Sequence, residues 1–334
     1  MKVKIVKTEE AVGKKLAYDT TLVTKEKAQV LFPKGTVITE DKVSSLKDSG
    51  VYYVYVEEEG EENLAYEWEI SEQVCKKVAD DETLTCVPGK QGAALIYSKV
   101  PGVLSINKEE LIKVNKSGIA LLITKPLWTA FGQNELVAVV DSLPLYVGRS
   151  ELYKKLDEFN KAISLQKFTR TKVGLVITGT EIYEGRKQDL YTDIVKMKAN
   201  KYGWELTCRS LAPDDENKIA EAINECLQKS EALIVTGGMS VDATDRTPLA
   251  ISRSGAKIIA YGIPIKPTTM SLVAFKDDKI IFGISAGGIH YRELNSIDVV
   301  FARLMAGWKP NENEIAELGA GGLLPNFEPG SKLH

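Results

Sequence analysis

The period of apolar positions changes along the chain and divides it into segments. Lys2 to Lys7 alternates like an edge strand. Lys34-Gly35 signals a turn before a short strand, Thr36 to Thr39. Asp41 to Asp48 has the spacing of one short helix, closed by Gly50. Val51 to Val56 is a β-rich run, and the acidic stretch Glu57 to Glu62 reads as a solvated loop. Glu67 to Val78 predicts a helix. Asp80 to Gly92 is polar, and its Pro88-Gly89 pair signals a linker or loop. Residues 1–90 thus read as a small α+β segment. Short β-like runs follow (Ala94 to Tyr97, Ile119 to Thr124, Leu136 to Val140), interrupted by a helix at Lys108 to Val114. Residues 91–150 therefore read as mostly β. Arg149 to Leu165 is amphipathic, which makes 151–169 a linking helix.

From residue 170 strands alternate with helices. The strands are Lys172 to Thr178, Glu205 to Leu211, Ala232 to Thr236, Lys257 to Tyr261 and Lys279 to Ile284. The helices are Asp189 to Tyr202, ended by Gly203, then Asp214 to Lys229 with Asp214 or Asp215 as N-cap, and a last long one from Ile289 to Met305. This alternation predicts an α/β fold: a doubly wound, mostly parallel sheet with both faces covered, over residues 170–307. Residues 308–334 form a tail. No internal repeat is present.

Composition narrows the function. The chain has 334 residues, 44% hydrophobic and 27% charged, with a net charge of -3. It can bury a sizeable core, and it lacks the broad basic footprint of a nucleic-acid binder. Met1 to Lys15 has no apolar core of a signal peptide, and no apolar run reaches the ~18 residues of a membrane span. The expectations are no membrane, no nucleic acid and a cytoplasmic location. Cys75, Cys86, Cys208 and Cys226 form no CxxC pair, so neither a zinc site nor a disulfide framework is expected. Of the two histidines, His290 reads as a helix-start or packing residue and His334 as a chain end.

Ligands of an open parallel sheet bind beyond the carboxyl ends of its strands. Thr178-Gly179-Thr180-Glu181 and Gly185 to Asp189 follow the first strand. Thr236-Gly237-Gly238-Met239-Ser240 follows the third, with Asp242, Asp245 and Thr247-Pro248. Glycines there let the backbone approach a ligand, and exposed N–H groups favour an anion such as phosphate. Ser240 and Thr247 add hydroxyls. Glu181, Asp189 and Asp245 are candidates to hold a metal ion or to bond a polar heterocycle. Taken singly, Gly237-Gly238 reads as a tight turn, Asp189 and Asp245 as helix caps, and Glu181 as a surface residue. Their common sheet edge is what argues for a site.

These motifs resemble the molybdopterin-binding fold family, which includes the molybdopterin molybdotransferases and molybdopterin adenylyltransferases. The resemblance rests on Thr178 to Glu181, Gly185, Asp189, Asp214-Asp215 and Thr236 to Asp242 with Asp245 and Thr247, and spans about residues 170 to 307. Tyr261-Gly262-Ile263-Pro264, Glu10 to Gly13 and Phe32 to Gly50 are similar to the branch called simply molybdopterin-binding proteins. Departures are Lys266-Pro267-Thr268-Thr269-Met270 in place of Lys-Pro-Gly-Lys-Pro, and Ile284 to Gly288 in place of Leu-Pro-Gly-Asn-Pro. Thr180 stands at an often acidic position, and Leu318 to His334 holds no cysteine, where the branch often ends in a cysteine-rich tail.

The resemblance implies molybdopterin as ligand or substrate, in cofactor biosynthesis or handling, with molybdate insertion as the implied enzyme activity. It implies Asp245, Asp189 and Glu181 as reaction-centre residues, and Asp245 and Asp189 as ligands of a Mg2+ ion. Thr178, Gly179, Gly237, Gly238, Ser240, Asp242, Thr247 and Lys266 would contact the pterin phosphate. It also implies a homodimer. The alternatives are a non-catalytic carrier or sensor, and a nucleotide-binding relative of the same fold.

Overall fold

The computed structural model describes residues 2–23, 27–58, 63–90, 92–239 and 246–328. The chain divides into two compact units.

The first unit comprises Met1–Ala65 and Tyr146–Leu152. Its strand Lys2–Lys7 pairs antiparallel with Tyr53–Glu58, and Thr20–Val23 pairs with Ala28–Phe32. Leu16, Ile38, Leu46 and Val56 are buried together, Leu46 from the helix Glu40–Asp48. The strand expected at Thr36 to Thr39 is reduced to one bridge, Lys15 to Val37. Glu57 and Glu58 belong to a strand, not a loop, because they pair with Val3 and Lys2; residues 59–62 of the acidic stretch lie outside the described residues.

The second unit comprises Tyr66–Leu145 and Tyr153–His334. Its first part holds the helix Glu67–Val78 and a four-stranded antiparallel sheet in the order Leu84–Pro88, Ala93–Ser98, Leu136–Ser142, Ala120–Thr124. The expected loop at Asp80 to Gly92 thus contains a strand, paired with Ala93–Ser98. The helix beginning at Arg149 stops at Glu158, and Ile163–Lys167 is a strand rather than its continuation. Asn160 explains the break: its N–H and side-chain amide donate to Glu110, at 3.0 and 3.2 Å, and draw the chain out of the helix.

The six-stranded sheet follows: β1 (Lys172–Thr178), β2 (Glu205–Ala212), β3 (Ala232–Thr236), β4 (Lys257–Tyr261), β5 (Ser271–Lys276) and β6 (Lys279–Ile284), in the order β2-β1-β3-β6-β5-β4. β2, β1, β3 and β6 are parallel, whereas β5 is antiparallel to both its neighbours. β5 is a strand that the alternation of elements does not predict; the turn at Asp277, with φ +53°, makes it a hairpin with β6. Alternate residues enter separate cores, as the two-residue period of a strand requires. Leu175, Ile177, Ile234 and Phe282 meet Val195 and Phe301 on one side; Val176, Val235 and Ile281 meet Ile223 and Ile251 on the other. Both faces are covered, so the strands read as continuous apolar runs.

Among the helices that flank the sheet are α1 (Tyr191–Tyr202), α2 (Glu216–Lys229) and α3 (Thr247–Arg253). Gly203 ends α1 in the left-handed region, φ +69°, and Asp215 caps α2 by accepting from the N–H groups of Asn217 and Lys218 at 3.0 Å. The long helix expected from Ile289 to Met305 is interrupted. A 3-10 turn ends at His290, which is exposed, a π turn covers Ile297–Phe301, and α-helix resumes at Ala302–Met305. Asn295 accepts from the Ile297 N–H at 2.8 Å, and Asp298 accepts from the Asn295 N–H at 2.8 Å, so local side-chain bonds restart the helix.

The cysteines correct another expectation. Cys75 is bonded to Cys86 and Cys208 to Cys226, with Cα atoms 6.1 and 5.5 Å apart. Each bond joins a helix to a strand it packs against, across 11 and 18 residues of chain, a pairing that no cysteine spacing motif marks. Among the described residues no helix is long and apolar enough to cross a membrane.

Candidate functional site

The carboxyl edge of the sheet gathers four of the candidates. Thr178 ends β1 and is buried; its hydroxyl lies 3.0 Å from the Thr236 carbonyl oxygen and 3.1 Å from the Thr247 hydroxyl. Thr247, also buried, donates to the Gly237 carbonyl at 2.8 Å. Gly237 and Gly238 both have positive φ, +91° and +53°. A Cβ on Gly237 would fall 2.4 Å from the Thr178 carbonyl oxygen, and one on Gly238 2.8 Å from the Thr247 hydroxyl. No other residue fits this turn. Ser240, Asp242 and Asp245 lie outside the described residues.

One group here is left over. Thr236 is buried, and its hydroxyl has no hydrogen-bond partner among the described residues. Such a group costs about 1–3 kcal/mol unless a ligand or water satisfies it. In sequence Thr236 belongs to the motif after the third strand but is no site candidate, because a threonine closing a strand looks like ordinary β structure.

The two described candidate carboxylates, Asp189 and Glu181, are each held by protein groups. Asp189 is mostly buried. One oxygen accepts from the N–H groups of Tyr191 and Thr192, at 2.8 and 3.1 Å. The other accepts from the Thr192 hydroxyl and from Arg209 Nε and Nη2, at 3.2 and 2.8 Å for the arginine. Burial works to raise its pKa, but the bonds from Thr192 and Arg209 outweigh it and hold the carboxyl below its usual value. Glu181 sits on a short helical turn, Thr180–Tyr183, and pairs with Lys187 at 3.1 Å; its own backbone N–H and then Lys187 lower its pKa. Gly179 has φ +138° and lets the chain turn into that helix. Asp214, after β2, accepts from the Thr180 N–H and hydroxyl at 2.9 and 3.0 Å. Lys266 lies on the connection from β4 to β5; its backbone bonds to Gly322 and Leu324 while its side chain is exposed. Among the described residues no three of His, Cys, Asp or Glu form an ion-ligand group. Asp189, with both oxygens saturated and a guanidinium beside it, does not fit a Mg2+ ligand.

Two tyrosines tie the edge together. Tyr191 donates to the Ser285 carbonyl, and Tyr261 to the Met239 carbonyl at 3.0 Å. Residues 174–303 match the family model described as a probable molybdopterin binding domain. This stretch of the chain belongs to that family. Residues 5–58 match a family described as a domain of unknown function.

Relatives of the molybdopterin-binding domain include a CinA-like protein of Syntrophus aciditrophicus (strain SB), 26% identical over 153 residues, which are 46% of this chain and 30% of that protein. A molybdopterin molybdenumtransferase of Bacillus subtilis (strain 168) is 28% identical over 120 residues, 34% of this chain and 28% of its own length. The chain thus spans less than a third of these relatives. A molybdopterin biosynthesis enzyme of Thermus thermophilus aligns with 42% of this chain and 98% of its own, at 18% identity and a TM-score of 0.35.

Proposed function

We propose that the molybdopterin-binding domain takes a pterin phosphate of the molybdenum-cofactor type at the carboxyl edge of its sheet, in the biosynthesis or handling of that cofactor. The observation that carries this reading is the turn Gly237-Gly238, closed on Thr178 and Thr247 within the stretch that matches the family. In this reading the backbone N–H groups of the turn and the Thr236 hydroxyl meet the phosphate, with Ser240, Asp242 and Asp245 completing the cleft. Gly179 and Lys266 border it.

Binding without turnover is favoured over molybdate insertion by Asp189. Its bonds to α1 and to Arg209 make it a structural anchor, which leaves Asp245 and Glu181 to serve any reaction centre. The test is calorimetry with purified molybdopterin and, separately, ATP. Saturable molybdopterin binding that ATP does not displace supports the proposal. Binding of ATP alone replaces it with the nucleotide reading. Molybdate insertion by the loaded protein makes it an enzyme. A homodimer is proposed on the same resemblance, and light scattering that returns a monomer at high concentration removes it. The proposed cytoplasmic location must accommodate two disulfides, which intracellular proteins of hyperthermophiles do.

A further inference from the structure

The opposite edge of the sheet carries a second site of different chemistry. α1 begins at the carboxyl edge and runs back over 12 residues, about 18 Å, so Lys201 and Tyr202 at its end reach the amino edge. There a cavity of about 750 Å³ opens between the segment around Trp128 and the helical turns ending at Met305. Its apolar wall includes Phe131, Val299 and Leu324. The volume is that of a small-molecule pocket.

Arg303 decides its character. The guanidinium lies 5.8 Å from the ring centroids of both Trp128 and Trp308. Its Nε is buried and has no hydrogen-bond partner among the described residues. Burial brings its pKa down to about 10, so it is still charged at neutral pH. The carboxylates that line the cavity are already committed. Asp298 accepts from Lys198 Nζ at 2.8 and 2.7 Å and from Tyr202 at 2.7 Å. Glu135 pairs with Lys201 at 3.2 Å and accepts from the Gly132 N–H at 2.8 Å. Arg303 is therefore a half-buried cation between two aromatic faces; Glu314 and Glu317 line the adjoining pocket with it, but neither forms an ion pair with it among the described residues, and Lys125 also lines the cavity.

Uncommon backbone stands on both walls. Trp128 is held at φ +67°, and Val299 belongs to the π turn Ile297–Phe301. The positive φ is costly for a residue such as tryptophan, and both strained backbone and single π turns collect at ligand sites.

We propose that this cavity is a second ligand site, for a small aromatic carboxylate or phosphate: Arg303 takes the anionic group, and Phe131, Val299 and Leu324 take the ring. The site is independent of the pterin reading, which concerns the other sheet edge.

Calorimetry with naphthoate and naphthyl phosphate, against neutral naphthol, tests it; the two anions distinguish a carboxylate from a phosphate ligand. The expected result is saturable binding of at least one anion, about tenfold or more tighter than naphthol. Arg303→Met should abolish that preference, and Trp308→Leu should weaken anion binding. No anion binding by the folded protein, equal binding of naphthol, or an Arg303→Met variant that still prefers the anion would each overturn the proposal. Should Arg303→Met fail to fold, phenylglyoxal labelling of the wild-type protein decides. Arg303 should be protected by the bound anion and not by naphthol; labelling unchanged by the anion overturns the proposal.

Discussion

Arg209 donates through Nη2, at 2.8 Å, to the same Asp189 oxygen that the Thr192 hydroxyl uses. Asp189 precedes α1 and Arg209 lies on β2, so this one carboxylate ties a helix start to the neighbouring strand.

The first prediction follows. The folded-state pKa of Asp189 is depressed below its ordinary 3.8, so its contribution to stability is present above that value and is lost as the pH falls through the folded pKa. Asp189→Asn should therefore cost about 1–2 kcal/mol at neutral pH, since asparagine still caps α1 but loses the charge facing Arg209. Urea unfolding at several pH values checks it. The gap between variant and wild type should close in acid; a gap that is constant with pH would mean that the charge contributes nothing.

The turn after β3 hangs on one hydroxyl. Thr247→Val keeps the shape but deprives the Gly237 carbonyl and the Thr178 hydroxyl of their partner. A loss of about 1–3 kcal/mol is expected, with molybdopterin affinity falling alongside it. Thr247→Ser should restore both. Unaltered affinity in a folded Thr247→Val protein would take the turn out of the site.

How far these features could be read from sequence depends on the range of the interaction. Strands β1 and β3 carry unbroken apolar runs, and Gly203 and Asp215 are local signals for a helix end and start, so periodicity and capping chemistry located them. The glycines of the turn were visible for the same reason. The bond from Asp189 to Arg209 spans 20 residues and follows from strand pairing, which no local pattern encodes. The disulfides depend on a helix packing against a strand, which local patterns do not encode either. The helix beginning at Arg149 was drawn too long because Ile163 and Leu165 suit either period, and Asn160 contacts Glu110, 50 residues away. Arg303 and Trp308 are neighbours in the chain, but Trp128 comes from a distant stretch and meets them only in the folded chain.

Lys198 and Asp298 form an ion pair at 2.7 Å with both side chains almost fully buried. Burial lowers the lysine pKa, and Asp298 opposes that shift. Lys198→Met would leave an uncompensated buried carboxylate and should cost about 3–5 kcal/mol. Asp298→Leu added to it should recover much of that loss. Denaturant midpoints of the single and double variants measure the coupling; additive losses would contradict it.

The disulfides close loops of 11 and 18 residues, for which about 2–4 kcal/mol each is expected. Reduction should lower the Tm, and the unfolded, unreduced protein should expose no titratable thiol. Four thiols reacting without reductant would show that the bonds are absent.

Cys208 lies on β2, the outermost strand of the sheet, and Cys226 on α2. An outer strand presents an unpaired rim that another chain can copy or exchange into. The crosslink makes strand and helix one covalent piece, so β2 cannot be lent to a neighbour unless α2 leaves its berth as well. Asp214 and Asp215, in the connection between them, are exposed. A protease cutting there would sever the chain without releasing either fragment, and the nick would surface on a gel only after the thiols are freed.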